Sequence, residues 1–144
     1  MKKIILLVFT VISLSSCVLH KRSLIYTNNS ENIPYSKSVK NGSGLIFTSG
    51  QLGINPSTRL LASNLESQTI QIMENIKAIL EQNNSDFSHM IKVNIYLTDI
   101  TQLHFVNAIY LKYLPMNKPA RTTIQVVALP QNAMIEIDCI ADSK

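Results

Sequence analysis

The sequence predicts a mixed α/β domain, in which a six-stranded sheet carries two helices on one of its faces. Two segments repeat apolar residues at helical intervals, and the segments around them alternate apolar and polar residues as strands do. The resulting order is ββ(β)αβαββ, and helical connections of this kind place their apolar sides against the sheet. A chain of 144 residues has the length of one domain.

The first elements are a hairpin and a long helix. A short strand at 35–40 meets the turn Asn-Gly-Ser-Gly at 41–44, and residues 45–49 run back. After a turn at 55–58, the apolar piece at 60–62 is the optional third strand. Ser63 and Glu66 then have the spacing of a capping box, which predicts a helix of about 18 residues. Its apolar positions are Leu65, Thr69, Ile72, Met73, Ile76, Ile79 and Leu80.

The second half of the domain is predicted as strand, helix and two strands. The second helix stops at Pro115, and strands at 121–128 and 134–141 flank a turn at 129–132. Its apolar side is Leu103, Val106, Ile109, Tyr110, Tyr113 and Leu114. Alternation directs Ile91, Val93, Ile95, Ile124, Val126, Ile135 and Ile137 toward the helices. It directs Lys92, Asn94, Tyr96, Arg121, Thr123, Gln125, Glu136 and Asp138 away from them. This mixed face fits an oligomer interface better than a solvent face.

The amino terminus has the pattern of a secretory signal. Lys2 and Lys3 precede an apolar run at 4–12 that is too short to span a bilayer. The following Leu-Ser-Ser-Cys resembles the bacterial lipobox, in which Cys17 would be lipidated and become the first mature residue. We therefore predict a signal peptide at 1–16, a lipidated cysteine with a flexible tether at 17–30, and the folded domain at 31–144.

These features predict an address in the cell envelope. Val18 is not acidic, which in Gram-negative lipoproteins indicates the outer membrane, here on its periplasmic side. The lipid anchor would make the membrane a partner, whereas an unused signal would leave the protein cytoplasmic. Lipidation of Cys17 leaves only Cys139, so no internal disulfide is expected. We predict that Cys139 is a buried, unreactive residue.

Net charge and motifs exclude several function classes. Removing Lys2, Lys3, Lys21 and Arg22 from the 13 basic residues leaves 9 in the domain at 31–144, against 9 acidic residues. A neutral domain lacks the basic surface that nucleic-acid binding requires. The sequence also has no GxSxG elbow, no glycine-rich phosphate loop and no His/Cys cluster with metal-ligand spacing.

Two charged residues are candidates for chemistry. Arg121 follows Lys-Pro-Ala at the start of a strand, where its guanidinium could grip a carboxylate or simply be solvated. Glu136 lies among apolar neighbours in a strand, where a carboxylate must be paired or have its pKa raised. By itself, Glu136 could also be the structural partner of a lysine.

Several segments together resemble the RidA family of imine and enamine deaminases, also called YjgF-like proteins. They occur in the order and spacing of that family across residues 31–144. The segments are Pro34-Tyr35-Ser36, Phe47-Thr48-Ser49-Gly50-Gln51, Gln68-Thr69, Glu74-Asn75-Ile76, Asn107-Ala108-Ile109-Tyr110, Pro119-Ala120-Arg121, Leu129-Pro130 and Ile135-Glu136-Ile137.

The resemblance implies a chorismate-mutase-like fold and a homotrimer with three sites in the clefts between subunits. It implies that Arg121 binds the substrate carboxylate and that Glu136 positions or activates the attacking water. Further pocket residues would be Tyr35, Ser49, Gly50, Asn107 and Thr123. Thr123 stands where many members have cysteine, and Ile33 replaces the usual glycine before Pro34.

The implied reaction is hydrolysis of 2-imino acids to 2-oxo acids and ammonia, and it needs no cofactor or metal. The enamines that the family quenches come from cytosolic pyridoxal-phosphate enzymes, which disagrees with an envelope address. An alternative is a non-catalytic binding protein for small carboxylates on the same trimeric scaffold, which would need Arg121 but not Glu136. An endoribonuclease is disfavoured by the neutral charge.

A hairpin centred between Pro130 and Gln131 predicts the geometry of the two candidates. It would place Gln125 opposite Glu136 and Thr123 opposite Asp138. Arg121 would then lie about 13 Å along the strand from the partner of Glu136. We expect the two charged residues to face each other across a substrate-sized gap that a neighbouring subunit completes.

Overall fold

The computed structural model describes residues 23–27, 33–114 and 116–144. Within this part of the chain, seven strands form one sheet, and the buried sides of two α-helices share a single core with it. The predicted fold class is therefore confirmed. The predicted signal peptide at 1–16 and Cys17 lie outside the described residues, and no described helix is long and apolar enough to cross a membrane.

The elements follow the predicted order. The strands are β1 (Ile25–Thr27), β2 (Ser38–Lys40), β3 (Leu45–Thr48), β4 (Gln51–Leu52), β5 (Met90–Leu97), β6 (Ala120–Gln125) and β7 (Ile135–Asp142). The helices are α1 (Leu65–Gln82) and α2 (Leu103–Tyr113).

Strand β1 pairs with β2, so the sheet begins ahead of the domain boundary expected at residue 31. The apolar piece at 60–62 contributes only a bridge from Leu61 to Ile54, and β4 supplies the extra strand instead.

Helix α1 begins one residue later than its sequence signal suggested. The capping box joins Asn64 and Ser67: the Asn64 side chain accepts from the Ser67 backbone N–H at 2.8 Å, and the Ser67 hydroxyl lies 3.2 Å from the Asn64 backbone N. The predicted pair, Ser63 and Glu66, is wrong because Asn64 is the last residue with extended backbone. The predicted length of 18 residues is confirmed.

The sheet order separates the last two strands. It runs β1-β2-β3-β7-β5-β6, with β4 also paired to β7, so β5 lies between β6 and β7. The predicted hairpin register is therefore wrong: Glu136 is level with Tyr96 and Leu52 rather than with Gln125. The reason is that α2 connects β5 to β6, and β6 pairs in parallel with one edge of β5. Only the other edge of β5 is then left to pair with β7.

Two predicted side-chain directions are also corrected. An irregularity between Met90 and Lys92 turns Ile91 outward, 48% exposed, and buries Met90 in its place. In β6 the parity is inverted. Arg121 is level with Val93 and Thr123 with Ile95, so both lie on the helix-facing side, whereas Ile124 points away and is 45% exposed. Gln125, level with buried Leu97, follows Arg121 and Thr123.

The face that the helices leave uncovered has the predicted mixed composition on β5 and β7. The Asn94 side chain donates to Asp138 at 2.8 Å, and the Lys92 ammonium donates to the Thr122 hydroxyl. Phe47 and Ile124 lie exposed on the same face. This combination of satisfied polar pairs and exposed apolar side chains is suited to contact with another protein surface.

Candidate active site

Arg121 is held in place from two sides by α2. Its Nη1 donates to the Asn107 Oδ1 at 2.7 Å, and its guanidinium carbon lies 5.5 Å from the centre of the Tyr110 ring. Parallel pairing of β6 with β5 brings Arg121 to this side of the sheet. Because a guanidinium has five N–H donors in a planar fork, Asn107 can fix its orientation and leave an edge for a carboxylate.

A cleft of about 310 Å³ lies beside this arginine, between α2 and the segment that enters β6. Its lining residues are Asn107, Tyr110, Leu111, Leu114, Lys118, Pro119 and Arg121. Burial raises the pKa of Tyr110 to about 12, although the Arg121 cation acts in the opposite direction. The hydroxyls of Tyr110 and Thr123 are both buried without a hydrogen-bond partner among the described residues.

Glu136 forms a second polar group on the opposite face of the sheet. An added Cβ at Gly50 would lie 1.7 Å from the Glu136 Oε1, so only glycine allows the carboxylate its position. The Ser49 hydroxyl donates to the Ser36 carbonyl at 2.6 Å and ties the segment of Tyr35 to this side. Tyr35 itself is 59% exposed.

The pKa of the Glu136 carboxyl is raised, mainly because it is partly buried and also because the Asp138 charge is near. Both effects favour the protonated form. A carboxylate with a raised pKa is a stronger base than a solvated one, so Glu136 is suited to accept a proton from water. By contrast, Cys139 is 1% exposed, and burial raises its pKa to about 12, which confirms the predicted buried and unreactive thiol.

The expected site residues thus fall into two groups within one chain. Arg121, Asn107 and Thr123 form the anchor group, and Glu136, Gly50, Ser49 and Tyr35 form the base group. Glu136 is level with Tyr96 and Ile124, whereas Arg121 is level with Val93. The two charged residues are therefore about 10 Å apart along the strands and about 10 Å across them, on opposite faces. The prediction that both residues point to the same face of the sheet is therefore wrong, and completion of the gap by a neighbouring subunit stays a prediction.

Residues 28–143 match the family model Ribonuc_L-PSP, described as Endoribonuclease L-PSP. The chain belongs to this family, the RidA family. It is 45% identical over 109 residues to the chloroplastic Reactive Intermediate Deaminase A of Arabidopsis thaliana, a match that covers 75% of this chain and 58% of that protein.

Solved structures of the RidA family have the same fold. RidA from the Antarctic bacterium Psychrobacter sp. PAMC 21119 has a TM-score of 0.75 and 35% identity, over 78% of this chain and 91% of that chain. E. coli TdcF with bound serine has a TM-score of 0.74 and 30% identity, over 78% and 90%. RidA-family proteins are homotrimers that act on small-molecule intermediates.

Tyr110, Leu111 and Leu114 line the cleft, a role that the sequence pattern did not indicate. The predicted core position is confirmed for Tyr110, which is 4% exposed, and Leu114 packs against the same core. Asn107, Tyr110, Leu111 and Leu114 are spaced at three, four and seven residues, which places them on one side of the helix. That spacing, counted from Asn107, was the available signal. Among the described residues, no group of three or more His, Cys, Asp or Glu side chains is placed to hold a metal ion.

Proposed function

We propose that the protein hydrolyses reactive 2-imino acids, which form from enamines of the 2-aminoacrylate type, to 2-oxo acids and ammonia. The observation that carries this proposal is Glu136, a partly buried carboxylate with a raised pKa that is packed against Gly50. A site that only bound carboxylates would need Arg121 but would gain nothing from a desolvated acid near the ligand. The name of the Arabidopsis relative and its 45% identity support the same reaction class.

The reaction follows from the two groups. The substrate carboxylate pairs with the Arg121 guanidinium, which orients the imine carbon. Glu136 takes a proton from water as the water oxygen bonds to that carbon and the C=N π bond opens, and Glu136 then passes this proton to the nitrogen to give a carbinolamine. Glu136 next accepts the carbinolamine hydroxyl proton and returns it to the amino group, so that the C–N bond breaks, the C=O bond of the 2-oxo acid forms and ammonia leaves. Because imines already hydrolyse in water, positioning and one base are enough for a useful acceleration.

The proposal requires a homotrimer, since one chain carries the anchor group and the base group on opposite faces. We place the anchor group of one subunit over the base group of its neighbour, so that the mixed sheet face is covered. The homotrimers of the family support this arrangement. Light scattering at micromolar concentration should report three copies, and a stable, active monomer would contradict shared sites.

The substrates that we propose are 2-iminopropanoate and 2-iminobutanoate. The serine bound to E. coli TdcF is also a small carboxylate, which supports a ligand of this class. RNA is not proposed, although the family model carries an endoribonuclease description, because the domain at 31–144 has no net charge.

The test is direct measurement of imine hydrolysis by the purified protein. Imino acids are generated in place by an amino-acid oxidase, and release of ammonia and 2-oxo acid is followed against the spontaneous rate. We expect acceleration that depends linearly on protein concentration. Binding of 2-oxo acids without acceleration would instead identify a non-catalytic carboxylate-binding protein.

We also propose that the protein is exported and anchored in the cell envelope through lipidated Cys17. The support is the sequence pattern at 1–17. An imine source in the envelope, such as an amino-acid oxidase, would then supply the substrate.

Substitution Cys17→Ser tests this address. We expect wild type to fractionate with membranes and to carry a mass increase at residue 17, whereas the variant should be released or remain unprocessed. A wild-type protein that is soluble, full-length and unmodified in the cytoplasm would contradict the anchor and leave the proposed chemistry intact.

A further inference from the structure

The cleft beside Arg121 has two ends of different chemistry. At one end, the Arg121 guanidinium and the Asn107 amide are joined by their 2.7 Å hydrogen bond. Leu111 in α2 and Leu114, which directly follows the helix, come four and seven residues after Asn107, so they extend the lining away from Asn107 as an apolar wall, and Lys118 and Pro119 complete the lining. Leu111 is 54% exposed although it lies inside this lining. A ligand that fills the cleft must therefore be polar at one end and apolar at the other.

The charge of the cleft selects an anion. Lys118 and Arg121 both line it, and none of its described lining residues is acidic. The volume of about 310 Å³ is near the lower end of small-molecule sites. These dimensions fit one carboxylate with a short apolar chain, whereas the cleft is larger than 2-iminopropanoate needs.

We propose that this cleft is a side-chain subsite and that the protein prefers 2-imino acids with an aliphatic side chain of about four carbons, such as 2-imino-4-methylpentanoate. The inference rests on the proposed imine hydrolysis and names its substrate class. The carboxylate lies on Arg121, and the aliphatic chain extends along the helix toward Leu111 and Leu114. Removal of the apolar chain from water supplies the preference.

Binding of stable 2-oxo acids tests the subsite without catalysis. Pyruvate and 4-methyl-2-oxopentanoate are titrated into the full-length protein, and their dissociation constants are compared by calorimetry. Three additional carbons that are about half buried should strengthen binding about tenfold. The same order should appear in kcat/KM for the corresponding imines, each corrected for its spontaneous hydrolysis.

Substitutions in α2 test whether the preference for the longer 2-oxo acid depends on the cleft. Leu111→Ala should reduce the ratio between the two ligands to about a third of its wild-type value, and Leu111→Met, which keeps the apolar volume, should restore it. Phe105→Ala is the matched control, because Phe105 is an exposed apolar residue of the same helix that does not line the cleft. It should leave the ratio unchanged. Light scattering on every variant verifies the oligomeric state.

The outcomes separate this inference from the proposed function. Hydrolysis of 2-iminopropanoate with no preference for longer chains overturns the subsite alone. A binding preference that depends on Leu111 without any hydrolysis overturns the reaction alone. Stronger binding of the dicarboxylate oxaloacetate than of 4-methyl-2-oxopentanoate would show that Lys118 selects a second anion, which also overturns an apolar subsite. A Leu111→Ala ratio equal to wild type has the same consequence.

Discussion

Arg121 is oriented before any ligand arrives, and this determines what its replacement should do. Asn107 accepts from one terminal nitrogen, and the guanidinium carbon lies over the Tyr110 ring. A lysine has one ammonium, which can satisfy either Asn107 or the ligand but cannot present a planar fork to a carboxylate.

We expect Arg121→Lys to lower kcat/KM for imine hydrolysis by about 10- to 100-fold, mainly through a higher KM, because a charge-assisted hydrogen bond to the substrate is lost. Steady-state kinetics with each imine measure the effect. The melting temperature should stay close to wild type, since Arg121 is exposed. An unchanged KM would remove Arg121 from the role of carboxylate anchor.

Glu136→Gln keeps the shape of the side chain but removes the base. We expect kcat to fall by about 100- to 10,000-fold while KM changes little, because the carboxylate of the substrate is bound elsewhere. Hydrolysis at the wild-type rate would exclude Glu136 from activation of water.

The same substitution should increase stability at neutral pH. The pKa of Glu136 is raised in the folded state, so its contribution to stability is present below its ordinary pKa of 4.5 and is lost as the pH rises through the folded value. At pH 7 the wild type therefore holds a desolvated charge that glutamine lacks. We expect a melting temperature higher by about 1–3 °C at pH 7 and equal to wild type near pH 4. A lower melting temperature at pH 7 would show that Glu136 is instead a structural ion-pair partner.

At the scale of elements, the start of α1 depends on one asparagine. The side chain of Asn64 accepts from the Ser67 backbone N–H, and the Ser67 hydroxyl oxygen accepts from the Asn64 backbone N–H. Ser63 precedes this cap and is exposed. Ser63 and Asn64 both have side chains that favour the N-cap position, but only Asn64 caps α1.

Asn64→Ala should destabilise the fold by about 1 kcal/mol, because a backbone donor at the helix start loses its acceptor. This corresponds to a melting temperature lower by about 4 °C. The matched control is Ser63→Ala, which we expect to leave the melting temperature unchanged. If the two variants exchanged these effects, the helix would begin at the residue that the sequence pattern first indicated.

Strand β6 shows how one element can place a functional residue on an unexpected side. Its outward residue Ile124 is apolar, and its inward residues Arg121 and Thr123 are polar, which reverses the usual pattern of a half-buried strand. At this edge of the sheet, α2 supplies partners for Arg121 through Asn107 and Tyr110. The Gln125 side chain accepts from the Ile100 backbone N–H, whereas the buried Thr123 hydroxyl has no hydrogen-bond partner among the described residues.

At the scale of the molecule, assembly is part of the proposed chemistry. The anchor group and the base group lie on opposite faces of one sheet, separated by β5. A rotation that places the edge of one subunit over the outer face of the next repeats the same contact three times and closes a ring. Each subunit would then contribute a different half to two sites.

Mixed trimers test this arrangement. Co-assembly of Arg121→Lys and Glu136→Gln subunits in equal amounts should restore about a quarter of wild-type activity, since one site in four then combines an intact arginine with an intact glutamate from different subunits. The unmixed variants assayed at the same total concentration are the controls. Absence of recovery in verified mixed trimers would mean that both residues of a site come from one chain.

The sequence by itself determined the fold class, the element order, most core positions and the candidate residues. Period-2 and period-3.6 patterns report burial directly, which is why the α1 length and the core positions of β7 were predicted correctly. The motifs around Arg121 and Glu136 consist of residues adjacent in the sequence, so their recognition does not depend on which strands pair.

Only the tertiary structure decided which residues meet. Neighbouring strands in sequence suggested a β6–β7 hairpin, but β5 lies between them. Alternation specifies that two faces exist and not which face a strand turns to the core, so Ile124 was assigned inward and Arg121 outward. The strand order depends on pairings between residues that are far apart in the sequence, such as Asn94 with Asp138, and no local pattern encodes them. For that reason the sequence identified Arg121 and Glu136 as candidates, whereas the fold placed them on opposite faces of the sheet, which is why we propose that a second subunit completes the site.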